Sequence, residues 1–219
     1  MPVAISPYLA AIECLTPKMT LYVEDVPWAE YEELLDDLGD SSGARIFYNQ
    51  GRMEVMPPTY SHEKPKDIVH RLVIAIDDEL GINIEFAGST TLKKELTAKG
   101  AEPDTCFYVQ NAALVMGRTD LRLDDTPPPD VVVEIDRSNF SLDKFEIYAG
   151  LGVPELWRWH QNRLRFYRLA GEKYEEITHS RAFPFLPADA LTNFVSIGWR
   201  ESERAAAKAF RVWLRENAA

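Results

Sequence analysis

Three carboxylates stand where a strand-like pattern turns them away from apolar neighbours: Glu54, Asp104 and Glu134. Glu134 most needs a reason. It interrupts 131–135, a nearly continuous run of β-branched residues of the kind found in strands buried on both faces. A carboxylate there is costly unless it is paired, protonated or bound to a cation. Side chains alternate along a strand, which puts Glu102 and Asp104 on one face, and Asp130, Val132, Glu134 and Asp136 on one face of the next. Paired carboxylates from neighbouring strands offer hard oxygen ligands to Mg²⁺ or Mn²⁺, and such an ion polarises a phosphoryl group and activates water. A salt bridge from Glu134 to an Arg or Lys accounts for the same spacing without an ion, and spacing alone does not choose.

The elements that must position these groups can be read from periodicity. An arm to about residue 20 shows no clear period. Pro27 opens a helix in which Trp28, Tyr31, Leu34, Leu35 and Leu38 repeat at helical spacing before Gly39. A turn over 40–44 leads into strands at 45–48 and 52–56 around a three-residue loop, Asn49-Gln50-Gly51. Ser61 caps a long helix with Ile68, Leu72, Ile76 and Leu80 on one face, closed by Gly81. Strands are expected at 82–86, 89–93 and 102–109, then at 131–135 in the centre. A short helix at 143–149, a strand at 155–160, a hairpin over 163–177 turning at Gly171, and a helix at 202–217 complete the chain. No repeat or low-complexity linker appears. The reading is one α/β domain over 1–219 built on one mixed sheet, with a core at about 45–160, an N-terminal arm and helix over 1–40, and a C-terminal hairpin and helix over 161–219.

The 219 residues are 46% hydrophobic and 27% charged, which excludes a disordered or collagen-like chain. Cys14 and Cys106 are too few for a disulfide framework or a cysteine zinc site. The apolar stretch at 8–12 is too short for a membrane span, so a cytoplasmic protein is expected. The net charge of −11 weighs against nucleic-acid binding, which gains affinity from Lys and Arg on phosphates. Either DNA approaches a local basic strip, or the protein does not bind it.

Four ordered motifs carry a resemblance: Gly88-Ser-Thr-Thr-Leu-Lys-Lys, Gly100-Ala-Glu-Pro-Asp-Thr-Cys-Phe-Tyr, Pro128-Pro-Asp-Val-Val-Val-Glu-Ile-Asp and Ile147-Tyr-Ala-Gly-Leu-Gly-Val-Pro-Glu-Leu-Trp-Arg. With Gly51-Arg-Met-Glu-Val-Met and Tyr60-Ser-His-Glu, they resemble the Uma-type restriction-endonuclease family of the PD-(D/E)XK nuclease superfamily, over about 26–195. The resemblance implies a restriction-endonuclease-like α/β core with flanking helices and an extra β-hairpin, and metal-dependent DNA hydrolysis. Pro103-Asp104 resembles the superfamily's Pro-Asp and Glu134 its second carboxylate. Its lysine normally stands two residues later, where this chain has Asp136. In the resembling family the basic residue moves to the following helix, four residues before a tyrosine, which here is Lys144 before Tyr148. Glu54 resembles the family's hairpin glutamate, a further metal ligand.

Other polar residues have plainer readings beside functional ones. His62 lines the site or caps its helix; Glu102 and Asp136 support the metal ligands or are solvated; Lys93 and Lys94 touch phosphate or protect a strand edge. Trp157 and Trp159 read as packing residues and Tyr148 packs under the site. A double-strand cut needs two sites or two encounters, so a homodimer is expected, with Leu156, Trp157, Trp159, Phe210, Trp213 and Leu214 as candidate surfaces, against which stands burial of most of them within the monomer. Three functions stay open: a Mg²⁺-dependent endonuclease, a nuclease fold without catalysis serving as an interaction module, and a structural homo-oligomer whose acids form an ion-pair network.

Overall fold

The computed structural model describes residues 7–16, 19–39, 43–57, 59–136 and 143–218. The described part of the N-terminal arm holds a short helix, α1 (Leu9–Glu13), and a strand, β1 (Leu21–Val23). The arm is therefore more structured than its lack of period suggests. Helix α2 (Trp28–Leu38) starts directly after Pro27 and ends at Gly39, whose φ is 58°. The turn expected over 40–44 falls largely outside the described residues.

Strands β2 (Arg45–Asn49) and β3 (Arg52–Met56) form the expected hairpin, but Asn49 pairs with Arg52, so the loop is Gln50-Gly51 alone. Both loop residues have positive φ, 50° and 89°, as the two-residue turns that match strand twist require. Helix α3 (Tyr60–Leu80) takes Thr59 rather than Ser61 as its N-cap residue and ends on Gly81 in the left-handed conformation. Strands β4 (Glu85–Gly88) and β5 (Leu92–Lys94) start three residues later than expected.

The strand expected over 102–109 is shorter, β7 (Thr105–Tyr108), and an unexpected strand, β6 (Lys99–Ala101), precedes it in a different sheet. Pro103 stands between them and has no N–H to give to a ladder, so the chain changes sheets there. A short helix, α4 (Ala112–Val115), precedes β8 (Val131–Asp136), all six of whose residues are buried. Next come α5 (Lys144–Leu151), β9 (Glu155–His160), and the hairpin of β10 (Arg163–Ala170) and β11 (Lys173–Ile177). Two helices, α6 (Ala188–Arg200) and α7 (Glu203–Asn217), follow. Helix α6 was not anticipated, although its buried Leu191, Phe194, Val195 and Gly198 recur at helical spacing.

Two sheets replace the single one expected. The five-stranded sheet runs β1-β3-β2-β6-β5 and the six-stranded sheet β11-β10-β9-β8-β7-β4. The β8–β9 pair is parallel, and its neighbours β7–β8 and β9–β10 are antiparallel. On one face of the six-stranded sheet α3, α6 and α7 cover Val131, Val133, Ile135, Trp157 and Phe166. On the other, Val132, Cys106 and Leu156 meet Ile147, Tyr148 and Leu151 of α5 and Phe47, Leu92 and Ala101 of the second sheet. Helix α2 covers the remaining face with Tyr31 and Leu34 against Ile46, Tyr48 and Val55. That packing needs Gly100, since a Cβ there would come within 2.1 Å of the Tyr31 hydroxyl.

The architecture is thus mixed α/β, sheets flanked by helices, with a distinct layer between the sheets. The residues considered for a dimer surface are interior: Leu156, Trp157, Trp159, Phe210 and Leu214 are all buried and Trp213 packs on the same core as Phe210. No helix among the described residues is long and apolar enough to cross a membrane.

Candidate active site

Alternation along β8 sends Val131, Val133 and Ile135 to the helical face and Val132, Glu134 and Asp136 into the layer between the sheets. Glu134, only 1% exposed, therefore faces α5 and the five-stranded sheet. Asp104 lies just before β7, and continuing the Thr105–Val133 pairing by one residue sets it beside Glu134. One Asp104 oxygen accepts the Ile135 backbone N–H at 2.7 Å, and the other lies 3.5 Å from Arg45 Nε.

Helix α5 supplies the cation. Asp143 caps it by accepting the Phe145 N–H at 2.9 Å, which fixes the helix start at Lys144. Lys144 Nζ donates to one Glu134 oxygen and Tyr148 Oη to the other. Residues four apart share a helix face, so Lys144 and Tyr148 reach the same carboxylate together. The ammonium also lies 3.5 Å from Asp136 and 4.1 Å from the centre of the Phe47 ring. Asp136 in turn accepts Arg158 Nε. The parallel register of β8 and β9 places Arg158 next to Glu134, so the cluster combines three carboxylates with Lys144, Arg158 and Arg45.

Burial raises the Glu134 carboxyl to about 7; Lys144 opposes the shift, while Asp104 and Asp136 add to it. Burial alone would lower the Lys144 ammonium, but Glu134, Asp136 and Asp104 outweigh it and hold the pKa above its ordinary value. Lys144 keeps its proton. The Tyr148 hydroxyl is held well above its ordinary range by burial first and then by Glu134.

Asp104, Glu134, Lys144 and Asp136 come together. Glu54, 1% exposed, pairs across the hairpin with Phe47, so it shares the sheet face on which Lys144 rests, on the opposite wall of the layer. Glu102 does not share a strand face with Asp104, because Pro103 ends the strand between them. Its oxygens accept the Ile46 N–H at 3.1 Å and the Thr91 hydroxyl at 3.0 Å, and burial raises its pKa to about 7. His62 sits in the first turn of α3, where its backbone N–H donates to Thr59 O at 2.9 Å. The adjacent Glu63 reaches Arg45 at 3.5 Å. Lys93 is tied to Glu32 at 3.0 Å, an anchor between β5 and α2.

Two residues joined to the cluster escaped sequence reasoning. Arg158 and Arg45 carry no local signal, because their bonds to Asp136 and Asp104 depend on strand register. Tyr148, expected only to pack, donates to Glu134, and its spacing from Lys144 was the available sign.

Among the described residues no group of three or more His, Cys, Asp or Glu side chains is gathered as a metal cage. Mg²⁺ needs only one or two carboxylates and keeps several waters. Asp104 and Glu134 fit that requirement by donor type. The mutual crowding of Asp104, Glu134 and Asp136 is also what a divalent cation would relieve.

No curated protein matches the chain. Among solved structures it is similar to a crystal structure described as a putative nuclease belonging to DUF820 from Anabaena variabilis, with a TM-score of 0.47 and 10% identity, covering 84% of this chain and 99% of that one. The model of the Uma2 family, described as a putative restriction endonuclease, matches residues 28–199, and the chain belongs to that family.

Proposed function

We propose that the protein is a divalent-metal-dependent endonuclease hydrolysing DNA phosphodiester bonds. One observation carries the reading: Asp104 and Glu134 approach from adjacent strands while Lys144 reaches the same carboxylate from α5. Asp104 and Glu134 would hold Mg²⁺ or Mn²⁺, with Glu54 a further ligand, and the ion would polarise the phosphoryl group and activate water. Lys144 takes the place of the lysine that the superfamily carries where this chain has Asp136. Held protonated, its ammonium would neutralise charge developing on the attacked phosphate. The Ile135 N–H keeps Asp104 turned towards β8, and Tyr148 fixes the rotamer of Glu134. The cluster is buried, so water is largely excluded and its charges interact strongly.

Incubation of the protein with supercoiled plasmid in Mg²⁺ or Mn²⁺, against EDTA, tests this. Nicked or linear product that needs the ion and disappears in Glu134→Gln is expected. Absence of cleavage with both ions at protein excess overturns it. The ion-pair reading is favoured by the match of Lys144 to Glu134 and Arg158 to Asp136. A crystal soaked in Mn²⁺ separates the two, because a closed ion-pair network takes up no ion between Asp104 and Glu134. The homodimer then needs a surface other than the buried residues above, and sedimentation as a clean monomer sinks it.

A further inference from the structure

We propose that Arg45 receives a phosphate group of the substrate, a role that rests on the nuclease reading. Arg45 opens β2, with its side chain only 12% exposed. Its Nε lies 3.5 Å from Asp104 Oδ1, one terminal nitrogen 3.5 Å from Glu63 Oε1 and the other 3.4 Å from Gly43 O. All three contacts are at the long limit, where hydrogen bonds are weak. Nε is buried and has no hydrogen-bond partner among the described residues. A guanidinium carries five donors, so much of this one's capacity is left for another anion.

The location matters as much as the chemistry. Arg45 lines a cleft of about 1160 Å³ together with the cations Lys93, Arg118 and Arg122 and a larger number of carboxylates, Glu32 and Glu102 among them, so a phosphate is held there only where a guanidinium faces it directly. The volume exceeds the roughly 300–1,000 Å³ of small-molecule pockets and suits part of a polymer. Two of the cleft's cations are already engaged, Lys93 with Glu32 at 3.0 Å and Arg118 with Asp125 at 3.5 Å. Asp104, Glu134 and Lys144 do not line the cleft. Arg45 touches both, with Asp104 on one side and the open volume on the other. A phosphate entering by the cleft meets this planar fork, which takes two phosphate oxygens at once, before it reaches the carboxylates.

The test sets Arg45→Met and Arg45→Lys beside the wild-type chain, with thermal melting to confirm that each is folded. Removing a cation next to Asp104 leaves Mn²⁺ binding to the free protein, read by electron paramagnetic resonance, unchanged or tighter. The same change weakens binding of a short DNA duplex, read by fluorescence anisotropy without added metal, by about tenfold. Arg45→Lys keeps the charge without the fork and recovers only part of that loss. Weaker duplex binding with no loss of Mn²⁺ affinity marks a phosphate-binding residue, since a structural arginine would weaken both ligands together. Unchanged duplex affinity in Arg45→Met, a parallel loss of Mn²⁺ and DNA, or a wild-type chain that does not bind the duplex overturns the proposal. Glu134→Gln tests the reading beneath it separately: wild-type Mn²⁺ affinity and cleavage in that variant would sink the nuclease site whatever Arg45 does.

Discussion

Glu134 and Glu155 stand on adjacent parallel strands, each only 1% exposed, yet they are satisfied in opposite ways on opposite faces of one sheet. Glu155 accepts the Trp157 indole N–H at 2.7 Å and the Ala182 backbone N–H at 2.8 Å, both neutral donors fixed by the fold. Glu134 is held by Lys144 and Tyr148, with Asp104 and Asp136 close by. Burial is the largest cause that raises both carboxyls. The difference is in what can be exchanged. Neutral, immobile donors make Glu155 a strut between β9 and the segment before α6. A cation and neighbouring carboxylates make Glu134 part of a charge cluster, the group that the proposed function assigns to a metal ion.

The sharpest break between the two is expected from matched Gln substitutions. Glu134→Gln should reduce metal-dependent cleavage per folded molecule by about a hundredfold or more, in addition to the stability lost when Lys144 keeps only the more distant Asp136. Glu155→Gln should cost stability alone, since its amide can no longer accept from both donors: about 1–3 kcal/mol of stability is lost, and cleavage per folded molecule is retained. Chemical denaturation and plasmid cleavage on the same preparations decide it, and equal effects of both variants on cleavage would erase the distinction.

Next in size, Lys144→Met should destabilise by about 3 kcal/mol, because removing one partner strands a buried charge. Adding Glu134→Gln to that variant should restore much of the stability and none of the activity, giving a large coupling energy in a double-mutant cycle. Additive losses in denaturant melts would mean that the pair is not coupled.

A smaller effect concerns pH at the strut. The folded pKa of Glu155 lies above its ordinary 4.5, so the folded state binds more protons than the unfolded chain between those values. Its contribution is full below 4.5 and is lost as pH rises through the folded value. The melting temperature of wild type should therefore fall relative to Glu155→Gln as pH rises above 4.5, and parallel profiles would refute the assignment. The smallest effect is Tyr148→Phe, which removes one hydrogen bond from Glu134 and should cost about 1 kcal/mol by denaturant melting.

Much of this was legible from local pattern. The nearly continuous apolar run of β8 announced a strand buried on both faces, the four-residue repeat of Ile68, Leu72 and Ile76 announced α3, and Asn49-Gln50-Gly51 announced the hairpin, although its loop is one residue shorter. Those signals are strong because backbone geometry and one-sided burial act over a few residues. Glu134 was conspicuous for the same reason, a charge in an apolar run. Glu155 drew no notice, because Ala182 supplies one of its partners from a distant segment. The division into two sheets was equally hidden: Lys99–Ala101 carries no strand pattern, and only pairing assigns it to β2 and β5 while Thr105–Tyr108 goes to β4 and β8. Sequence alone determined most of the strands and helices, with α6, β6 and the elements of the arm as exceptions, and marked Glu134 as out of place. Tertiary structure alone decided which cation meets which carboxylate, because register and sheet order bring Arg158 to Asp136 and Arg45 to Asp104 across separations that no local period records.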